Sequence, residues 1–105
     1  MPAFFKQVFE RDKHRCVYCG KYLLLDFETF QTSQLDHLVP GAGNTLDNLV
    51  LSCYVCNNLK SNFVPSLVLG PNNRSAYIQL IRLRVMERRA ESMQDFASWT
   101  HPGGA

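Results

Sequence analysis

The sequence predicts a small α+β domain in which a zinc site holds helices and a pair of strands together. Three observations favour this fold class. The chain has 105 residues, the length of one domain with a small core. All four cysteines fall into two Cys-x-x-Cys pairs, Cys16/Cys19 and Cys53/Cys56. Short segments with the periodicity of strands and helices alternate around these pairs.

The first half of the chain is predicted to contain one helix and two strands. Pro2 to about His14 favours a helix, because proline suits a first turn and the apolar side chains share one face. Residues 22–30 are apolar without clear periodicity and are predicted to be extended. Residues 33–39 alternate as a strand does, and residues 48–52 form a second strand after a glycine-rich loop.

The second half of the chain is predicted to be helical. One helix over residues 54–63 begins at the second cysteine pair, and a longer one over about 75–98 has Ser75 or Asn73 as its cap. The long helix is apolar on more than one face, which predicts packing on both sides or against a second subunit, and so allows a homodimer. The tail, residues 101–105, is predicted to be frayed.

Composition and charge disfavour a disordered or membrane-spanning chain. Hydrophobic residues make up 46% of the sequence, an ordinary value for a globular protein. No run approaches the roughly 20 apolar residues that span a bilayer, and charged residues near the N-terminus interrupt any signal-peptide pattern. These features predict an intracellular, cytoplasmic protein that is not secreted and has no membrane partner. The net charge of +2 is a weak indication of a nucleic-acid partner.

The two cysteine pairs favour a structural zinc site. In a reducing compartment such pairs bind zinc rather than form disulfides, and four thiolates complete a tetrahedral shell around Zn²⁺. Four buried free cysteines are the alternative, which the pairing disfavours. Residues 20–52 separate the pairs, a longer insert than the roughly 15 to 20 residues of compact zinc ribbons. Zinc would therefore be a scaffold around an insert that holds polar residues.

Asp36 and His37 are the polar residues of this insert with the clearest chemistry. On a strand their side chains point to opposite faces, so that one can bind a cation while the other faces a water. A carboxylate oxygen suits Mg²⁺ or Mn²⁺, and a neutral imidazole is a suitable general base near neutral pH. For the dipeptide alone, a surface aspartate beside a half-buried histidine is the simpler alternative.

With these parts in this order, the chain resembles the HNH endonuclease family, whose fold is a ββα-metal unit. The matching motifs are Cys16-Val17-Tyr18-Cys19-Gly20, Leu35-Asp36-His37-Leu38-Val39-Pro40, Gly41-Ala42-Gly43, Asn48-Leu49-Val50 and Cys53-Tyr54-Val55-Cys56-Asn57-Asn58-Leu59-Lys60. The resemblance covers roughly residues 5–62. It implies one nuclease domain over residues 1–105 of a prokaryotic or phage-like protein, with a ββα-metal core at about 33–62 and a helical extension at about 74–98.

The resemblance also implies a role for each matched residue. His37 would be the general base that takes a proton from the attacking water, and Asp36 would ligate a divalent cation. Asn48 would brace the loop and orient His37 through its backbone carbonyl. Asn57 stands where many members have a second histidine, and it would be the other ligand of the cation. Asparagine at that position favours Mg²⁺ or Mn²⁺ over a catalytic zinc.

These roles imply a metal-dependent DNA endonuclease or nickase that acts on double-stranded DNA. Lys60, one turn after Asn57, could contact a flanking phosphate, or it could be an exposed helix lysine without such a role. Arg15, beside the first cysteine pair, is a weaker candidate for the same contact. Basic residues also outnumber acidic ones between Lys60 and Arg89. The alternative function is a catalytically inactive, zinc-stapled module for DNA binding or protein interaction.

Overall fold

A computed structural model describes residues 4–101, which form helices around one two-stranded sheet. The elements, in chain order, are α1 (Phe5–Arg11), α2 (Phe27–Gln31), β1 (Ser33–His37), β2 (Leu49–Cys53), α3 (Tyr54–Lys60) and α4 (Arg74–Thr100). The predicted α+β class with a long C-terminal helix is confirmed. Among residues 4–101, no helix is long and apolar enough to cross a membrane.

The sheet is an antiparallel pair in which Ser33 lies opposite Cys53 and His37 lies opposite Leu49. Every residue of β2 is buried, because α1 packs against β2 while α3 packs against both strands. In β1 Asp36 is buried, and the other four residues of the strand are partly exposed. The core therefore lies around β2, and β1 presents its polar residues close to it.

α1 is shorter than the helix that the sequence predicts. It spans Phe5–Arg11, and the predicted start, Pro2, lies outside the described residues. The helix ends before Lys13 and His14, whose φ angles of 59° and 61° lie in the left-handed region. This change of direction leads the chain into the first cysteine pair.

The prediction of an extended segment over residues 22–30 is wrong in its second half. The short helix α2 begins at Phe27, and Asp26 precedes it in an extended conformation. Asp26 Oδ1 accepts a hydrogen bond of 2.7 Å from the Thr29 amide, which satisfies one of the free N–H groups of the first turn. This capping interaction starts a helix in a segment whose apolar residues show no helical period.

The two C-terminal helices form where the sequence predicts them, with different ends. α3 stops at Lys60, because Ser61 adopts a positive φ of 51°. Asn73 directly precedes α4, but its side chain does not cap the helix. It accepts a hydrogen bond from the Gly70 amide and donates one to the Val68 carbonyl, so that it closes the preceding loop.

α4 packs against α3 along one apolar stripe. Tyr77, Ile81 and Val85 are buried, whereas Leu83 is 55% and Trp99 84% exposed. The predicted second packing face is thus open to solvent in the single chain, and the homodimer stays a prediction. Of the tail, residues 102–105 lie outside the described part of the chain.

Candidate metal centre and active site

The four cysteines converge on one site, as the sequence predicts. Their Sγ atoms lie within 4.8 Å of one another, and the Sγ atoms of Cys19 and Cys53 are 3.9 Å apart. Zn–S bonds of about 2.3 Å in a tetrahedron place the sulfurs about 3.8 Å apart, so this spacing fits a zinc ion. None of the four forms a disulfide, and all but Cys19 are buried.

Local backbone geometry presents these sulfurs. In the first pair the Gly20 amide donates to the Cys16 carbonyl at 2.8 Å, and Gly20 has a φ of 79°, which glycine adopts without strain. In the second pair Cys53 precedes α3, and its Sγ accepts from the Cys56 amide at 3.4 Å. A tight turn and a helix N-terminus therefore each supply two thiols to the site.

Crowding of the thiols separates their pKa values. Hydrogen bonds with Cys19 first, and with the other two thiols, hold the pKa of Cys16 well below its usual value. The pKa of Cys56 is raised, first by its hydrogen bond with Cys16. A thiolate is thus favoured at Cys16. Zinc would replace the thiol protons, because the thiolate is the form that ligates the metal.

Two arginines of α4 contact this part of the molecule, and sequence reasoning did not assign them to it. Arg89 Nη1 donates to Cys56 Sγ at 3.8 Å, so a positive charge lies beside the thiol cluster. Arg88 Nη1 donates to the carbonyls of Leu59 at 2.7 Å and Lys60 at 3.0 Å. A cation at the C-terminal end of a helix is favourable, and this contact ties α4 to the end of α3.

Asp36 is buried in β1 and surrounded by donors. Its Oδ2 accepts a hydrogen bond of 2.5 Å from the Tyr18 hydroxyl. Lys60 Nζ lies 3.1 Å from Oδ1 and 3.0 Å from Oδ2. Burial first, and the charge of Asp36 second, raise the pKa of Tyr18, so this phenol keeps its proton and donates it. Tyr18 lies inside the first cysteine pair, so this pair also supports the carboxylate.

Lys60 is buried, whereas the sequence predicts an exposed side chain, and its contact with a phosphate stays a prediction. Only 1% of the residue is exposed, and Nζ donates to the His37 carbonyl at 2.6 Å in addition to its contact with Asp36. Both sequence interpretations, a phosphate contact and a solvated helix lysine, placed this side chain on the surface. The face of α3 that carries Lys60 packs against β1, where Asp36 supplies the opposite charge that a buried ammonium requires.

Asn57 lies on the same face of α3, one turn before Lys60. Its Nδ2 donates to Oε1 of Gln34, and Gln34 shares a face of β1 with Asp36. Asn57 and Asp36 therefore both lie where α3 packs against β1. Carboxylate and amide oxygens are hard ligands, so this pair of side chains fits Mg²⁺ or Mn²⁺ better than a soft metal.

His37, the last residue of β1, projects from the opposite face of the strand. Its Nε2 lies 2.6 Å from Asn44 Oδ1, and the ring borders an open cleft with Phe4, Phe5 and Leu49. Because an amide oxygen only accepts, this contact assigns the proton to Nε2 and leaves the Nδ1 lone pair free. Sequence reasoning did not identify Asn44, since an asparagine in a glycine-rich loop is first of all a turn residue.

Asn48 holds the loop between β1 and β2. Its Oδ1 accepts from the Val39 amide at 2.9 Å, and its Nδ2 donates to the carbonyls of Val39 at 3.1 Å and Gly43 at 3.0 Å. Its backbone carbonyl accepts from the Leu38 amide at 2.8 Å, next to His37 in the chain. The carbonyl of His37 itself accepts from Lys60.

Replacing Asn48 with alanine is expected to lower the free energy of unfolding by about 2–3 kcal/mol, because loop amide and carbonyl groups lose their partners. Urea unfolding followed by circular dichroism measures this loss. Exposed Asn62 provides a control, and its alanine variant should stay within about 0.5 kcal/mol of the wild type. Equal stability of the two variants would contradict the bracing contacts of Asn48.

Arg15 remains at the surface beside the first cysteine pair. Its Nη1 donates to the Gly20 carbonyl at 3.0 Å, and its guanidinium carbon lies 5.2 Å from the centre of the Tyr22 ring. These contacts orient the guanidinium without burying it, because a cation over an aromatic face remains accessible to solvent. Its contact with DNA stays a prediction.

Residues 16–63 match the family model for HNH endonucleases. This segment is an HNH domain. The HNH domain includes both cysteine pairs, both strands and α3, and the resemblance found in the sequence is thereby confirmed. α1 lies before the matched segment and α4 after it, so Arg89 of α4 reaches the thiol cluster from outside the HNH domain.

Two relatives share sequence with this chain, and each bears the name CRISPR-associated endonuclease Cas9. The protein from Corynebacterium diphtheriae is 42% identical over 60 residues, which cover 53% of this chain and 5% of that protein. The protein from Actinomyces naeslundii is 45% identical over 51 residues, which cover 45% of this chain and 4% of that protein. The chain thus corresponds to a small part of either relative. No solved structure matches it significantly.

Proposed function

We propose that this chain is a metal-dependent DNA endonuclease or nickase that hydrolyses phosphodiester bonds with His37 as general base. The HNH domain and its similarity to two proteins named endonucleases support nuclease chemistry. The observation that carries the finer proposal is the state of His37. This imidazole lies at the end of β1 beside an open cleft. Among residues 4–101, its Nε2 has a hydrogen-bond partner in Asn44 and its Nδ1 has none.

His37 is suited to take a proton from a water that attacks phosphorus. Asn44 accepts from Nε2–H and thereby fixes both the tautomer and the orientation of the ring. The free Nδ1 then accepts the proton of the attacking water, and the ring becomes an imidazolium whose new charge the same Asn44 oxygen stabilises through Nε2–H. Asn44 acts here as a positioning residue for His37.

Asp36 and Asn57 would hold the catalytic divalent cation, Mg²⁺ or Mn²⁺. When bound, such a cation neutralises charge on the non-bridging and leaving oxygens of the phosphate. The four cysteines would hold a separate structural zinc, whose role is to fix α3 relative to the first cysteine pair. Oxygen ligands favour Mg²⁺ or Mn²⁺ and thiolates favour zinc, so the two sites would bind different metals.

We also propose that the whole chain works as one domain on double-stranded DNA. The Tyr77 hydroxyl of α4 donates to the Leu38 carbonyl at 3.2 Å, directly after His37 in the chain, so α4 supports the end of β1. Arg15 offers an exposed cation beside the first cysteine pair for a phosphate contact. The core would then be the segment 33–62, with the helix over 74–98 as its support.

A plasmid-nicking assay tests the proposed function. Supercoiled plasmid incubated with the zinc-loaded chain is expected to become open circular in Mg²⁺ or Mn²⁺ and to stay supercoiled without an added divalent cation. The absence of nicking in both Mg²⁺ and Mn²⁺ would contradict the proposal. A nicking rate without any divalent cation that equals the rate with one would also contradict it.

Replacing Asn57 with alanine is expected to raise the Mn²⁺ concentration for half-maximal nicking by about tenfold or more, because one oxygen ligand of the cation is lost. The rate of nicking as a function of Mn²⁺ concentration measures the change. Asn58, the exposed neighbour on α3, gives the matched control, and its alanine variant should follow the wild-type curve. Identical curves for all three proteins would exclude Asn57 as a ligand.

One observation favours the second candidate, a catalytically inactive zinc-stapled module that binds DNA. The buried ammonium of Lys60 already balances the charge of the Asp36 carboxylate, so the folded protein needs no metal ion at this position. Retention of plasmid by the zinc-loaded chain, without nicking in Mg²⁺ or Mn²⁺, would support this candidate.

A further inference from the structure

The ammonium of Lys60 lies close to three oxygen atoms, two of which accept its hydrogen bonds. It lies 3.1 Å and 3.0 Å from the two oxygens of Asp36 and 2.6 Å from the His37 carbonyl. A lysine that is 1% exposed is stable only with such complete pairing. The contacts also join the two residues of the Asp-His dipeptide, one through its side chain and the other through its backbone.

The same contacts leave little room on Asp36 for a second cation. Each carboxylate oxygen faces Nζ, and Oδ2 also accepts from Tyr18. A Mg²⁺ ion bound at about 2.1 Å from one of these oxygens would lie within a few ångströms of the ammonium. Two positive charges at that distance in a buried site repel each other strongly.

We propose that Lys60 occupies the cation position of Asp36 in the free protein, and that a divalent cation binds only when the lysine side chain withdraws. This inference rests on the proposed function, because it assumes that Asp36 is a ligand. Lys60 would thus be an internal competitor that keeps Asp36 neutralised and the core intact until the cation arrives.

The position of Lys60 permits such an exchange. Lys60 is the last residue of α3, and the exposed Ser61 after it turns away with a positive φ. Arg88 holds the Lys60 carbonyl at 3.0 Å, so the backbone can stay in place while the four-carbon side chain rotates toward solvent. Outside, the ammonium would sit beside the site, where a DNA phosphate could accept its hydrogen bond.

Replacing Lys60 with methionine tests the competition through binding rather than activity. The zinc-loaded variant is expected to bind Mn²⁺ about tenfold or more tightly than the wild type in isothermal titration, since the competing charge is gone. Without Mn²⁺ its melting temperature should fall, and saturating Mn²⁺ should raise it by more than it raises that of the wild type. Lys21→Met, at an exposed lysine shortly after the first cysteine pair, should match the wild type in both measurements.

The wild-type chain gives a second readout that does not depend on the folding of a variant. The ¹⁵Nζ signal of Lys60, assigned by its loss in Lys60→Arg, should be protected from solvent exchange without Mg²⁺ and lose that protection as Mg²⁺ saturates. Equal or weaker Mn²⁺ affinity of Lys60→Met, or a protected Lys60 signal at saturating Mg²⁺, would overturn the inference. If the chain still nicks plasmid only in the presence of the metal, either of these results would overturn the inference about Lys60 and would not contradict the proposed function.

Discussion

Replacing Cys19 with serine is expected to abolish tight zinc binding and to unfold the chain. Structural zinc contributes an apparent binding free energy of roughly 10 kcal/mol or more, whereas the net stability of a domain is only about 5–15 kcal/mol. Cys19 is partly exposed, so the substitution changes core packing little, and the loss reports on the metal. Zinc content and the circular dichroism spectrum of the purified variant measure the effect.

Cys19→His is the matched control for this prediction, because an imidazole can replace a thiolate as a zinc ligand. It should retain about one zinc per chain and a folded spectrum, although with reduced stability. A Cys19→Ser variant that remains folded with the zinc content and stability of the wild type would show that the four thiols do not act as one metal site.

Replacing His37 with alanine is expected to slow nicking by about 10²–10⁴-fold, the usual contribution of a general base. The fold should survive, because the ring is partly exposed at the end of β1 and its hydrogen bond goes to a loop residue, Asn44. Single-turnover rates on supercoiled plasmid in saturating Mn²⁺ measure the change.

His101→Ala controls for the loss of an imidazole elsewhere, since His101 is exposed at the end of α4. Its nicking rate should equal that of the wild type. The melting temperature of His37→Ala should stay close to the wild-type value, which separates a chemical role from a structural one. An Asn44→Ala variant that slows nicking less than His37→Ala would agree with a positioning role for Asn44.

The parts of the fold that could be predicted from the sequence have local signals. Alternation over residues 33–39, a glycine-rich loop and a cysteine pair at the start of a helix identify β1, β2 and α3 with small errors at their ends. The thiol cluster was equally predictable, because two Cys-x-x-Cys turns complete one tetrahedral shell. α2 was missed, because its main signal is the single capping side chain of Asp26.

The environment of the candidate active-site residues could not be predicted, because it depends on contacts between distant segments. Lys60 and Asp36 are 24 residues apart, and nothing in the helical spacing of Lys60 shows that its face meets β1. Tyr18 reaches Asp36 from the first cysteine pair, and Arg89 reaches Cys56 from a helix outside the HNH domain. Such tertiary contacts decide whether a charged side chain is buried or exposed.

Chemical rescue of His37→Ala is the most direct measurement of whether a metal-dependent nuclease works through this histidine. Wild type and variant are compared on supercoiled plasmid in Mn²⁺, with and without added imidazole. We expect rapid nicking by the wild type, a rate lower by about 10²-fold or more for the variant, and partial recovery of the variant with imidazole. Equal nicking by the two proteins without imidazole would contradict the assignment of His37 as general base.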